Sequence, residues 1–219
     1  MTDVVITVRG EHQALVAAEL GVARVSVRLD GPERAGVVAQ AQEIAADLQQ
    51  ELAAAETEGA ITKWNSERVS VWADRPWNDK GKQLPLVHHA SVQLVAEFKD
   101  FSALSEWISR ASEREGVAVD AITWTLTKQT ERATENAVAQ GAVQVAIDRA
   151  TAYASALGLA NVQAVQIADV GMLSHEAAMK APMMMQRGAA ADMAGAPNFQ
   201  LEPDEIEVSA TVEARFHAN

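Results

Sequence analysis

Met172, His175 and Met179 stand at i, i+3 and i+7, the spacing of one helical face. Two thioethers with an imidazole suit a soft ion such as Cu(I). Methionine is equally the adaptable filler of subunit contacts, and the chain has no cysteine to add a thiolate. Packing or subunit contact is therefore the leading reading of this stretch, and a soft-metal or small-molecule site the alternative. His88 and His89 are adjacent on a segment of strand character, so their side chains point to opposite faces and cannot share one ion. Glu205 and Glu207 share a face, as paired catalytic carboxylates would, but carboxylates are the usual occupants of a solvated strand surface. Trp64, Trp72 and Trp77 fall around one turn-rich segment, and exposed aromatic residues there would favour a protein partner.

No Gly-x-Gly-x-x-Gly, phosphate-loop, Gly-x-Ser-x-Gly or His-Glu-x-x-His motif occurs. Nucleotide-binding, serine-hydrolase and zinc-protease chemistry have no support, and no residue is assigned as catalytic, cofactor-binding or metal-ligating. The expectation is a protein that is not an enzyme and needs no cofactor. With 18 basic against 30 acidic residues, the formal charge is -12. Such a chain repels the phosphates of nucleic acid and the surface of an anionic membrane. Met1-Thr2-Asp3 runs straight into Val4-Val5-Ile6-Thr7-Val8, without a basic start or an apolar run of membrane-spanning length. A cytoplasmic location is expected from this.

The elements that must carry these residues follow from hydrophobic period. Val4 to Arg9 reads as a strand closed by Gly10, and Leu20 to Leu29 as a second, with Gly21 marking a bulge. Val37, Ala41, Ile44, Leu48, Leu52 and Ala55 hold a helical period after Asp30-Gly31-Pro32-Glu33. Ala60 to Ala73, interrupted at Asn65-Ser66-Glu67, pairs through a turn at about Asp74 to Lys82 with a fourth strand. There Ala90, Val92, Leu94, Ala96 and Phe98 share one face. Asp100 caps a short helix carrying Phe101, Leu104, Trp107, Ile108 and Ala111 inward.

A strand from Ile122 to Thr127 then leads into the longest helix, capped by Thr130 and ended by Gly158. Ala139, Ala142, Ala146, Ala150, Tyr153 and Leu157 form its apolar stripe; Gln140, Gln144, Asp148, Thr151 and Ser155 form the polar one. A sixth strand spans about Val162 to Val170. Residues 171–203, with six of the seven methionines, read as a long loop with one helical turn near Ser174 to Lys180. The last strand alternates from Ile206 to Phe216. The order ββαββαβαββ, with hairpins at both ends, predicts an α+β fold: largely antiparallel sheets with one long alanine-rich helix and two further helices packed on them. No stretch has the composition of a linker, so residues 1–219 are expected to form one domain.

Five segments in this order resemble the SIMPL domain family, whose bacterial members include periplasmic immunogenic proteins and oxidative-stress proteins. They are Ile6-Thr7-Val8-Arg9-Gly10-Glu11, Gly59-Ala60-Ile61, Val92 to Phe98 before Asp100, Ala156-Leu157-Gly158-Leu159, and Pro203-Asp204-Glu205-Ile206-Glu207-Val208-Ser209-Ala210. The chain departs from the family pattern at His12, at Ala18-Glu19 and at Asp204, and from its opening residues the export signal of most members is not expected here. The resemblance implies a non-catalytic, stress-associated protein that assembles into homo-oligomers.

Overall fold

The computed structural model describes residues 3–77, 83–173 and 201–219. Its element order is β1 (Val4–Val16), β2 (Leu20–Gly31), α1 (Arg34–Thr57), β3 (Ile61–Asp74), β4 (Val87–Phe98), α2 (Phe101–Ser112), β5 (Val117–Thr125), α3 (Lys128–Ala156), β6 (Val162–Asp169) and β7 (Ile206–Ala218). The predicted ββαββαβαββ order and α+β class hold, and every strand pairing is antiparallel. The chain divides into two compact units.

The four-stranded unit takes β2 to β5, α1 and α2, in strand order β3-β4-β2-β5. One face of its sheet buries Val25, Val27, Ala90, Val92, Leu94 and Phe98 under the two helices, which contribute Leu48 and Leu52 from α1 and Leu104, Trp107 and Ile108 from α2. Phe98 and Trp107 meet with ring centroids 5.6 Å apart. Asp100 accepts from the Ser102 and Ala103 amides at 2.9 and 3.0 Å, the cap expected of it and worth about 1 kcal/mol. The expected bulge at Gly21 is absent. Gly21 instead leaves room for Leu104 and Trp124, either of which a Cβ would meet within 2.8 Å.

The three-stranded unit takes β1, α3, β6 and β7, in strand order β1-β7-β6. Here α3 lies on a face built from Ile6, Val8, Ala214, Phe216 and Ala218, and it presents Ala146, Ala150 and Ala154 to it. Alanine lets the helix axis come close. Gly10 does not end the first strand, as the sequence suggested; it sits mid-strand where the helix backbone passes, so near that any Cβ would strike the Ala142 carbonyl. Nor do β1 and β2 form a hairpin: β1 pairs with β7 from Val4↔Ala218 to Val16↔Ile206, and β2 belongs to the other sheet. Alternation fixes which side chains share a face, but not which strand lies alongside.

Three corrections concern α3. Its cap is Thr127, not Thr130: the Thr127 hydroxyl accepts from the Thr130 amide at 3.3 Å, and the helix starts at Lys128. The preceding strand accordingly ends at Thr125 and begins five residues earlier than Ile122, at Val117. The buried stripe is Val138, Ala142, Ala146, Ala150 and Ala154, whereas Tyr153 and Leu157 are 54% and 62% exposed. Residues every four positions stay over a narrow sheet, and the neighbours at three-residue steps swing past its edge. Gly158 does stop the helix with φ of 76°. The turn expected near Ser174 to Lys180 lies outside the described residues.

Candidate functional site

On the four-stranded sheet, the face opposite the helices has no described element of its own unit over it. The register places two cross-strand rows there: Ser70, Ser91 and Arg28 in one, and Arg68, Gln93 and Ser26 in the next. Trp72 and His89 stand opposite each other one pair further on, stacked at 5.0 Å and 14°. With Asp120 from β5, residues of these rows line a hollow of about 180 Å³.

Its charge is set by two irregularities. Between Ser66 and Arg68 the β3–β4 register shifts by one residue, leaving Glu67 unpaired. Without that extra residue Glu67 would stand opposite Gln93 and Arg68 would turn to the helix side, since neighbours in a strand face opposite ways. The second shift, between Arg24 and Val25 on the β2–β5 ladder, leaves Asp120 as the extra residue. Its carboxylate reaches the open face, accepting from Ser26 Oγ at 3.1 Å and from the Arg28 guanidinium.

Among the described residues, the side chains of Arg68, Ser70, Ser91 and Gln93 make no hydrogen bond or ion pair. Nor does any imidazole hydrogen-bond to a serine of the hollow, so none has the adjacent base that a serine nucleophile needs. A second dent, of about 430 Å³, is lined by Asp47, Gln50, Glu51, Ala54 and Arg114, but there Arg114 is already paired with Glu51.

The three-stranded unit offers a surface of a different kind. Among the described residues, β6 ends the sheet with β7 on one side only. Its sequence from Val162 to Ala168 contains no charge and no proline, two of the usual protections of an open edge, and its ladder with β7 shifts register between Ala164 and Gln166. Val165 and Ile167 are each 54% exposed, and Val170 and Met172 continue the exposed apolar run.

The residues singled out in the sequence scatter. Met172 is exposed after β6, while His175 and Met179 lie outside the described residues. His88 and His89 take opposite faces of β4: His89 stacks on Trp72 and sits 3.4 Å from Asp74, and His88 keeps a buried Nδ1 without a partner among the described residues. Glu205 and Glu207 are both exposed. Trp64 donates to Glu56 at 3.0 Å, Trp107 is core, Trp124 meets Phe101 edge-on, and Trp77 is 86% exposed. Among the described residues no three acidic or histidine side chains could hold a metal ion. No described helix is long and apolar enough to cross a membrane.

Sequence reading missed the hollow, although two signals were present. The interruption at Asn65-Ser66-Glu67 marks one bulge. The other shows as a change of phase in β5, where apolar residues fall at Val117 and Val119 and then at Ile122 and Trp124.

No curated protein matches the chain. The model of the family SIMPL, described as a protein of unknown function (DUF541), matches residues 6–216. The match runs from Ile6 in the first strand to Phe216 in the last, and the chain belongs to the SIMPL family.

Proposed function

We propose that the chain is a non-catalytic protein that works as a homo-oligomer, with the three-stranded unit as its assembly module and β6 as the contact edge. The observation that carries this reading is the edge itself: a strand uncharged from Val162 to Ala168, with no described strand paired on its outer side, and exposed Val165 and Ile167 along it. Edges of this kind pair with other strands unless charge, proline or a covering element prevents it. Pairing two β6 strands antiparallel about a two-fold axis joins the sheets of two copies, the commonest symmetry of soluble oligomers. The scaffold or stress-associated role suggested by the family resemblance would be exercised in this assembled form.

Sedimentation or light scattering on the full chain tests the reading. The wild type should have a mass of two or more chains. Ile167→Lys, which puts a charge beside the edge, should lower that mass while leaving the circular dichroism unchanged. A monomeric wild type, or an Ile167→Lys variant of unchanged mass, would overturn it.

A further inference from the structure

We propose that the open face of the four-stranded sheet carries a binding site for a small oxyanion, a carboxylate or phosphate group gripped by Arg68 with Ser70, Ser91 and Gln93. The proposal is independent of assembly through β6, since it concerns a different sheet in a different unit.

Three observations converge on it. First, the hollow holds unspent donors. Arg68 offers a planar fork of N–H groups, Ser70 and Ser91 offer hydroxyls, and Gln93 offers an amide, and among the described residues none is engaged by another side chain. All four come from adjacent positions of the β3–β4 ladder, Arg68↔Gln93 and Ser70↔Ser91. The guanidinium fork matches two oxygens of a carboxylate or phosphate at once.

Second, the charge is local and goes against the trend of the molecule. The chain carries a formal charge of -12, so diffuse attraction of anions is absent. In the hollow, however, Asp120 is bound to Arg28 and Ser26, which leaves the Arg68 cation uncompensated by any lining residue. The β3 bulge is what turns Arg68, rather than Glu67, to this face, and bulges often re-aim side chains at functional positions. Third, a volume of about 180 Å³ is below the roughly 300–1,000 Å³ of sites for drug-sized ligands. It fits a single small anionic group. Trp72 in the lining gives an apolar wall for whatever carries the anionic group.

The experiment titrates the full chain separately with inorganic phosphate, acetate and benzoate, following tryptophan fluorescence and backbone amide shifts. At least one probe should bind saturably with a Kd on the order of 1 mM, as befits a single ion at a solvent-open site. Amide shifts should centre on β3 and β4 around Arg68 and Ser91. Arg68→Gln should weaken binding at least about tenfold, and Arg68→Lys, which keeps the charge but loses the fork, by less than Gln does. Lys63→Gln removes a cation already paired with Glu97 on the same strand pair, and should change binding by less than about twofold. Preference for phosphate would assign a phosphorylated ligand, and preference for acetate or benzoate a carboxylic acid. The proposal fails if none of the three probes saturates, or if Arg68→Gln and Lys63→Gln weaken binding equally, since that reports diffuse charge and not a site.

Discussion

Replacing Gly10 by alanine is the sharpest single-atom-group test of how the three-stranded unit is packed. A Cβ at this position would lie 1.9 Å from the Ala142 carbonyl oxygen and 2.7 Å from the Ala146 amide nitrogen. Both atoms belong to the backbone of α3, so neither can rotate away. Ordinary contact begins near 3.4 Å, and the helix would have to retreat by about 1.5 Å, the difference from the closer distance. That retreat loosens Ala146 and Ala150 against Ile6 and Val8. Overpacking of this kind costs about 1–3 kcal/mol, and the case lies at the upper end because the obstacle is main chain. Against it stands the roughly 0.5–1 kcal/mol that alanine gains over glycine inside a strand. The net expectation is a loss of about 2 kcal/mol, or about 4–8 °C in Tm for a chain of this length. Gly36 supplies the opposite control: it lies in α1, and a Cβ there meets nothing within 4 Å. Gly36→Ala should therefore gain about 0.5–1 kcal/mol from helix propensity. Urea unfolding followed by circular dichroism measures both. A Gly10→Ala variant as stable as the parent would mean that α3 does not rest on β1 at this point.

Two further expectations concern the same unit. Ala146→Leu should destabilise by about 1–3 kcal/mol because the buried stripe has no room for it, while Asp148→Leu on the exposed face should stay within about 0.5 kcal/mol; equal effects in thermal unfolding would contradict the stripe. The Glu213 carboxyl is held below its usual range by the hydrogen bond from Arg9, at 3.1 Å, and by the Gly171 amide. A pKa lowered on folding stabilises the fold above the unfolded value, about 4.3 for glutamate, and that stabilisation is lost as pH falls through the folded value. Arg9→Gln should raise the Glu213 midpoint in an NMR titration, and an unmoved midpoint would refute the pairing.

Most of the fold was legible because its elements have clean periods. Ala90 to Phe98 alternates without a break, and Asp100 stands where a helix needs a cap. What could not be read was which elements lie side by side. Only three residues separate Val16 from Leu20, which invites a hairpin, yet the chain passes between sheets there and β1 finds β7 some two hundred residues away. Gly10 looked like a stop because a glycine in a strand is read as an interruption; its reason is a helix backbone that the local sequence does not contain. His12 shows the same limit. Its ring lies over Gly141 of α3, whose missing Cβ leaves the space. The hollow was hardest to see because its charges reach one face through bulges, and a single displaced residue reverses every assignment made from alternation.

Amide hydrogen exchange in β6, read at low and high protein concentration, tests assembly through this edge most directly. The account predicts that amides between Val162 and Asp169 not donated to β7 exchange freely at low concentration and become protected as the chain assembles. If those amides stay unprotected while the mass rises with concentration, assembly uses another surface and the central claim is wrong.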